Sequence, residues 1–352
     1  MRCKRTNLSI WPVSKAHLGM VAALMAFVTI LSGAAGPAAH ADDKGSLEAL
    51  GIAMEGYPYP RPVQFHPVTY RGQDLRMGYM DVAPAGPANG RAVTLLHGAN
   101  FFGAYWESTI EALSAAGYRV IVPDQIGFGK SSKPTLPYSF HWLAANTKAL
   151  LEALGVERTV VVGHSMGGML ASRFALMYPD ATEKLVLVNP LGLEDYRHTV
   201  PWVSADAVYK STLAQTEDKI RAYHKTYYVT WKDAYDAFVK VHYRWTLSGE
   251  YPRMAWARAL IVQMILLQPV VYEFPLIQAP TLLVIGQADR TSPGRGRVPE
   301  AVRRTIGQFP ALGRAAAEAI PNAELVTFDG VGHIPHLAVP EQFEDALLSF
   351  LE

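Results

Sequence analysis

The sequence contains a single cysteine in 352 residues, Cys3, so it has no internal disulfide and no pair of thiols at metal-ligand spacing. It has almost no charge excess: 32 Lys+Arg stand against 31 Asp+Glu, a net charge of +1. That leaves no basic surplus to neutralise a row of phosphates, and no nucleic-acid partner is expected. The apolar stretch from Leu18 to Leu31 counts fourteen residues, short of the roughly 20 that cross a bilayer as a permanent helix. Half of all positions are apolar, which excludes disorder and fibre and supplies a large core.

Arg2, Lys4, Arg5 and Lys15 precede that apolar stretch, and a small-residue run ends in Ala39-His40-Ala41 before Asp42-Asp43. This is the order of a secretory signal peptide, with cleavage expected after Ala41 and an uncleaved anchor as the alternative. Removing 1–41 takes away four basic residues, no acidic ones and the only thiol, so the mature chain carries a net charge of −3. A periplasmic or secreted protein is expected, with no stable membrane insertion after cleavage.

From about residue 67, short apolar runs alternate with helical periods, the pattern of βαβ units and a mainly parallel sheet. Strands are predicted at Ala92–Leu96, Arg119–Val122, Thr159–Val162, Lys184–Val188, Thr281–Ile285 and Glu324–Phe328, rich in Val, Leu and Ile as both-side burial requires. Helices are predicted at Ala104–Ala116, Phe140–Leu154, Met166–Met177 and Pro340–Leu351. Val68–Tyr70 and Leu75–Asp81 read as an antiparallel edge hairpin, and Asp42–Pro67 as an irregular lead-in. Between Gly192 and Pro275 the strand rhythm stops, and Tyr223, Tyr227, Trp231, Tyr235 and Phe238 fall at helical spacing. The chain thus divides into a leader at 1–41, a first core segment at 42–190, a helical cap at 191–275 and a second core segment at 276–352. Some cap aromatics are expected to line an apolar pocket at the carboxyl ends of the strands.

The run Thr159-Val-Val-Val-Gly-His-Ser165-Met-Gly-Gly168 places G-x-S-x-G between a strand and a helix. On so sharp a turn the serine hydroxyl is presented at the top of the sheet, and side chains at 163 or 167 would collide. A serine hydroxyl needs a base to take its proton and a third group to orient that base. Asp289, in Gly286-Gln-Ala-Asp289, and His333, in Asp329-Gly-Val-Gly-His333, each follow a later strand and supply these. His336 is the competing imidazole, read as packing near the site; Asn189, at the preceding strand end, has no charge to stabilise an imidazolium. An oxyanion would be held by the amides of Met166 and of Ala99, the latter in Leu95-Leu-His97-Gly98-Ala99-Asn100, where His97 is read as pinning the loop. Asp124-Gln-Ile-Gly127-Phe-Gly129-Lys-Ser131 ends like a phosphate loop but begins with Asp, so phosphate binding is rejected. Gly294-Arg-Gly-Arg297 reads as a solvated basic turn.

These five motifs, HGAN, D-x-x-G-F-G-x-S, G-H-S-M-G-G, G-Q-A-D and G-V-G-H, in this order resemble the α/β-hydrolase superfamily over Val68 to Glu352. The resemblance implies a mostly parallel eight-stranded sheet with helices on both faces and a helical cap. It also implies a Ser165, Asp289 and His333 triad with Ala99 and Met166 as amide donors. Ser165 where dehalogenases and epoxide hydrolases have aspartate argues against those activities. The loop at 97–101 lacks the Gly-Gly-Pro-Gly of proline iminopeptidases. Ile-Pro-His-Leu after His333 lacks the Trp usual in carbon–carbon bond hydrolases. The expectation is a serine hydrolase acting on a carboxylic ester or lactone of a small to medium hydrophobic molecule, without metal or organic cofactor. Carbon–carbon hydrolysis or acyl transfer and perhydrolysis on the same triad, and a non-catalytic binding protein, stand as alternatives. Oligomeric state leaves no mark in the sequence.

Overall fold

The computed structural model describes residues 47–352; the leader read at 1–41 lies outside them. Eight strands, β1 (Val63–Tyr70), β2 (Gln73–Val82), β3 (Ala92–Leu96), β4 (Arg119–Pro123), β5 (Thr159–His164), β6 (Thr182–Val188), β7 (Thr281–Gly286) and β8 (Ala323–Phe328), form one sheet in the order β1-β2-β4-β3-β5-β6-β7-β8. Only β2 runs against the others. The predicted edge hairpin is longer than its sequence pattern: β1 begins at Val63, so the lead-in ends in strand, and Pro67 is tolerated because β1 has a free edge.

The helices are α1 (Glu107–Ala115), α2 (Phe140–Ala153), α3 (Met166–Met177), α4 (Ala205–Leu213), α5 (Glu217–Lys225), α6 (Asp236–Thr246), α7 (Tyr251–Leu267), α8 (Glu300–Arg303), α9 (Phe309–Ala319), α10 (Pro335–Ala338) and α11 (Pro340–Leu351). The helix expected at 104–116 is split, with a 3-10 turn over Gly103–Trp106 before α1. No element was predicted at α8 or α9.

Successive strand residues serve opposite cores. Val161, Leu185 and Leu283 pack with α2, α3 and α9, whereas Val160, Val162, Val186 and Val284 pack with α1 and α11. Each fully buried Val or Leu contributes about 1.5–3 kcal/mol, which explains why these strands are apolar throughout. Residues 191–275, between β6 and β7, contain α4 to α7 and no strand. No helix among the described residues is long and apolar enough to cross a membrane.

The chain leaves β3 for β4 on one side and meets β5 on the other, a topological switch point at which a crevice opens beyond the strand ends. Leu96 pairs with Gly163, His164 with Val188, and Gly286 with Phe328, so the loops after β3, β5, β6, β7 and β8 emerge along one edge.

Candidate active site

Ser165 connects β5 directly to α3 with φ 56° and ψ −121°, a conformation that side chains disfavour. The turn is held by backbone bonds: the Ser165 N–H donates to the Val188 carbonyl at 3.1 Å, and its own carbonyl accepts from Gly168 and Leu191 at 2.9 Å each. A β-carbon at Gly163 would lie 2.2 Å from the Gly167 oxygen, one at Gly167 2.3 Å from the Leu96 oxygen, and one at Gly168 2.4 Å from Pro190 Cβ. The three glycines therefore let β3, β5 and α3 approach closely enough to make this turn.

His333 and Asp289 arrive from the next loops along the edge. The Nε2 of His333 is 2.9 Å from Ser165 Oγ, and its Nδ1 is 2.7 Å from Asp289 Oδ2. Asp289 is 2% exposed and His333 1%, whereas Ser165, at 6%, also lines a cavity. The Asp289 carboxylate accepts from the Thr291 N–H at 2.8 Å and from the Asn189 side-chain amide at 2.8 Å. Burial pushes this carboxyl up, but the His333 ring and these donors outweigh it and hold it below the ordinary carboxylate value. An acceptor-only Asp289 fixes the proton on His333 Nδ1 and leaves Nε2 to accept from the serine hydroxyl.

Asn189, set aside in the sequence for its lack of charge, has a positioning part that its sequence position does not display. At φ 37° it turns its side chain onto the end of β7 and the turn that follows, donating to Asp289 while its Oδ1 accepts from the Gly286 N–H at 2.9 Å. His164 is a second such residue. The Gly98 N–H donates to Tyr105 Oη at 3.0 Å, the Tyr105 hydroxyl donates to His164 Nδ1 at 3.0 Å, and His164 Nε2–H donates to the His333 carbonyl at 2.8 Å. Burial, followed by the His336 and His333 rings, pushes His164 well below the ordinary imidazole value, consistent with this singly protonated role. From the cap side, the His333 N–H donates to the Tyr227 carbonyl at 2.8 Å. His336 takes no part in this chain of bonds: it is stacked on Trp106 at 4.1 Å and packs edge-on against Tyr105 and His164, and neither ring nitrogen has a partner among the described residues.

Gly98 is pressed against the turn, where a β-carbon would lie 3.2 Å from Ser165 Cβ. Ala99 lines the same cavity as Ser165, and Met166 begins α3, whose N-terminal amides and dipole favour negative charge there. His97 pins this loop: its Nδ1–H donates to the Gly98 carbonyl at 2.9 Å, and its Nε2 accepts from the Gln125 N–H at 3.0 Å. The loop after β4 is knotted around Asp124, which accepts from the Gly103 and Lys130 N–H groups at 2.7 Å each. Buried Lys133 donates to the carbonyls of Phe128, Gly129 and Ser131, and burial pushes its ammonium down to about 7. These anions and cations bind the protein's own backbone, in keeping with a structural loop.

The cavity has a volume of about 680 Å³ and is lined from both core and cap. Of the cap aromatics at helical spacing, Tyr223 and Tyr227 line it, joined by Trp245, while Tyr235 stacks on Tyr228 elsewhere. Gly294 to Arg297, the basic turn of the sequence, also lines it, with Gly296 and Arg297 exposed. A polar network crosses its wall. Arg258 Nη1 donates to Asn100 Oδ1 at 2.8 Å, the Asn100 amide donates to the Tyr227 hydroxyl, and His242 Nε2 donates to the Asn100 carbonyl at 2.8 Å. Burial, helped by the Arg258 charge, pushes His224 down to about 4. Among the described residues no cluster of three or more His, Cys, Asp or Glu is placed to hold a metal ion.

The sequence model of the alpha/beta hydrolase fold family matches residues 91–338. A solved structure of a probable hydrolytic enzyme from Pseudomonas aeruginosa PAO1 is similar at 47% identity and a TM-score of 0.85, over 87% of this chain and 99% of that one. A candidate non-heme chloroperoxidase from Synechocystis is 28% identical over 277 residues, 75% of this chain and 92% of its own length. A 2-hydroxy-6-oxo-6-phenylhexa-2,4-dienoate hydrolase from Burkholderia cepacia is 41% identical over 108 residues, 30% of this chain and 38% of its own. By the family match, the motif order and the sheet topology together, the chain belongs to the α/β-hydrolase family.

Proposed function

We propose that this protein is a serine hydrolase that cleaves a carboxylic ester or lactone through an acyl-enzyme. The observation that carries the reading is the unbroken chain of hydrogen bonds from Ser165 Oγ through His333 to Asp289, beside a cavity large enough for a small to medium organic molecule. In this reading His333 Nε2 takes the Ser165 proton as Oγ attacks the carbonyl carbon. The amides of Ala99 and Met166 hold the resulting oxyanion, and the same imidazole then gives its proton to the leaving alkoxide. Water, deprotonated by His333, attacks the acyl-enzyme; the acid departs and Ser165 recovers its proton. Asp289 stays ionised throughout, stabilising the imidazolium and fixing the ring. The hydrolytic character of the Pseudomonas relative supports the same class of chemistry.

The likeness of 108 residues to the dienoate hydrolase favours a second reading, carbon–carbon bond hydrolysis by the same residues. One panel separates the two: p-nitrophenyl esters, lactones and a vinylogous diketone, with a fluorophosphonate probe alongside. Purified protein is expected to release p-nitrophenol and to label covalently, and Ser165→Ala is expected to lose the label and at least about 10⁴-fold in kcat. Turnover of the diketone alone would replace the ester reading with the second. Absence of both labelling and turnover would leave a binding protein.

A further inference from the structure

The charges around the cavity are of one sign. Lys219, Arg258, Arg295 and Arg297 line it, and no Asp or Glu is among its lining residues. Two of the four already have local partners: Lys219 Nζ donates to the Ala214 carbonyl at 3.0 Å, and Arg295 Nη1 donates to the Ile306 carbonyl at 2.8 Å with Glu194 in its field. Arg297 is largely exposed. Arg258 differs from all three. It is half-buried on α7, its Nη1 donates to the neutral Asn100 side chain, and among the described residues no carboxylate pairs with it. A partly desolvated guanidinium without an anion is costly, and its planar fork matches a carboxylate.

Its placement ties it to the reacting centre. Asn100, which it holds, follows Ala99 in the chain and donates to the Tyr227 hydroxyl, while the carbonyl of that tyrosine holds the His333 N–H. The hydrophobic groups around it, Ile261, Ile265 and Leu266 of α7, would accept the rest of a substrate's carbon chain.

We infer that the substrate of this pocket is an anionic ester or lactone, an apolar chain bearing a carboxylate that Arg258 binds while Ser165 attacks the acyl carbon. This rests on the serine-hydrolase reading and narrows it. Arg258 is thus a specificity-determining residue, acting on binding of the charged end in both ground and transition states.

The test compares mono-p-nitrophenyl esters of succinic, glutaric and adipic acids with neutral p-nitrophenyl butyrate, valerate and hexanoate, using wild-type protein, Arg258→Met and Arg258→Lys. Fluorophosphonate labelling of Ser165 is followed in each. Wild type should prefer one of the anionic esters, the best chain length reporting the span from Ser165 to Arg258. In Arg258→Met the ratio of anionic to neutral kcat/KM should fall by about 30- to 100-fold, and Arg258→Lys should recover part of it. A merely structural role for Arg258 would lower both substrates together and leave the ratio unmoved. Labelling of wild type without preference for any anionic ester, or a ratio unchanged in Arg258→Met, would overturn the inference and leave the hydrolase reading standing. Wild-type protein that neither labels nor turns over any ester would sink both. The wild-type preference needs no variant, so a misfolded Arg258→Met does not shield the inference.

Discussion

Ser165 holds a backbone conformation that its own β-carbon opposes, at φ 56° and ψ −121°. Such strain costs on the order of 1–3 kcal/mol, and glycine would relieve it while costing about 0.5–1 kcal/mol in unfolded-state entropy. Ser165→Gly is therefore expected to be more stable than Ser165→Ala by about 1 kcal/mol in denaturant unfolding, although both lack the hydroxyl. Equal stabilities, or the reverse order, would show that the turn stores no strain. At this scale Ser165 was legible because the motif around it is fixed by contact: each flanking glycine faces a backbone oxygen or a proline at under 2.5 Å from where a β-carbon would sit. Asp289 and His333 were legible because each sits in the loop after a strand, on the same edge of the sheet. Asn189 was not. Its part comes from a left-handed backbone and from a donor and an acceptor at the end of β7 and in the turn after it, neither of which has a trace in the local sequence.

Between elements, the most informative connection is the relay from Gly98 through Tyr105 and His164 to the His333 carbonyl. It ties the loop after β3 to the loop after β8 through the strand end that carries Ser165. Tyr105→Phe would leave the Gly98 N–H and His164 Nδ1 without partners in a dry interior, at about 1–3 kcal/mol for each unsatisfied group. A lowered melting temperature and a kcat reduced by about tenfold with KM little changed are expected, checked by calorimetry and by steady-state rates on a p-nitrophenyl ester. A KM effect alone would argue against a positioning role. The parallel strands were readable because burial on both faces demands unbroken Val and Leu. Helix α9 was not, since Gly313 interrupts its apolar pattern within the second turn. Gly313 is there because a β-carbon would lie 2.7 Å from Ile285 of β7, so the residue that hides the helix is the one that lets it pack.

For the whole molecule, the leader pattern at 1–41 leads us to propose export, with a mature chain that has no thiol and a net charge of −3. N-terminal sequencing of protein recovered from outside the cytoplasm is expected to begin at Asp42; material starting at Met1 would refute cleavage. The residues just beyond, from Leu47, are part of one unit with the rest, Leu50 and Met54 packing beside Phe102, Val241 and Trp245. Segments at 47–62 and 191–275 therefore share a hydrophobic cluster although more than a hundred residues separate them, a link invisible to any local pattern. One bond has a wider implication for how this protein could diversify. Because the main-chain oxygen of Tyr227 anchors the amide of His333, the roof over the pocket is also scaffolding for the imidazole beside Ser165. Exchanging that roof for a relative's, as an evolutionary recombination or an engineer would, changes selectivity only if the incoming segment brings an oxygen to the same point; otherwise the graft gains a new pocket over an idle serine.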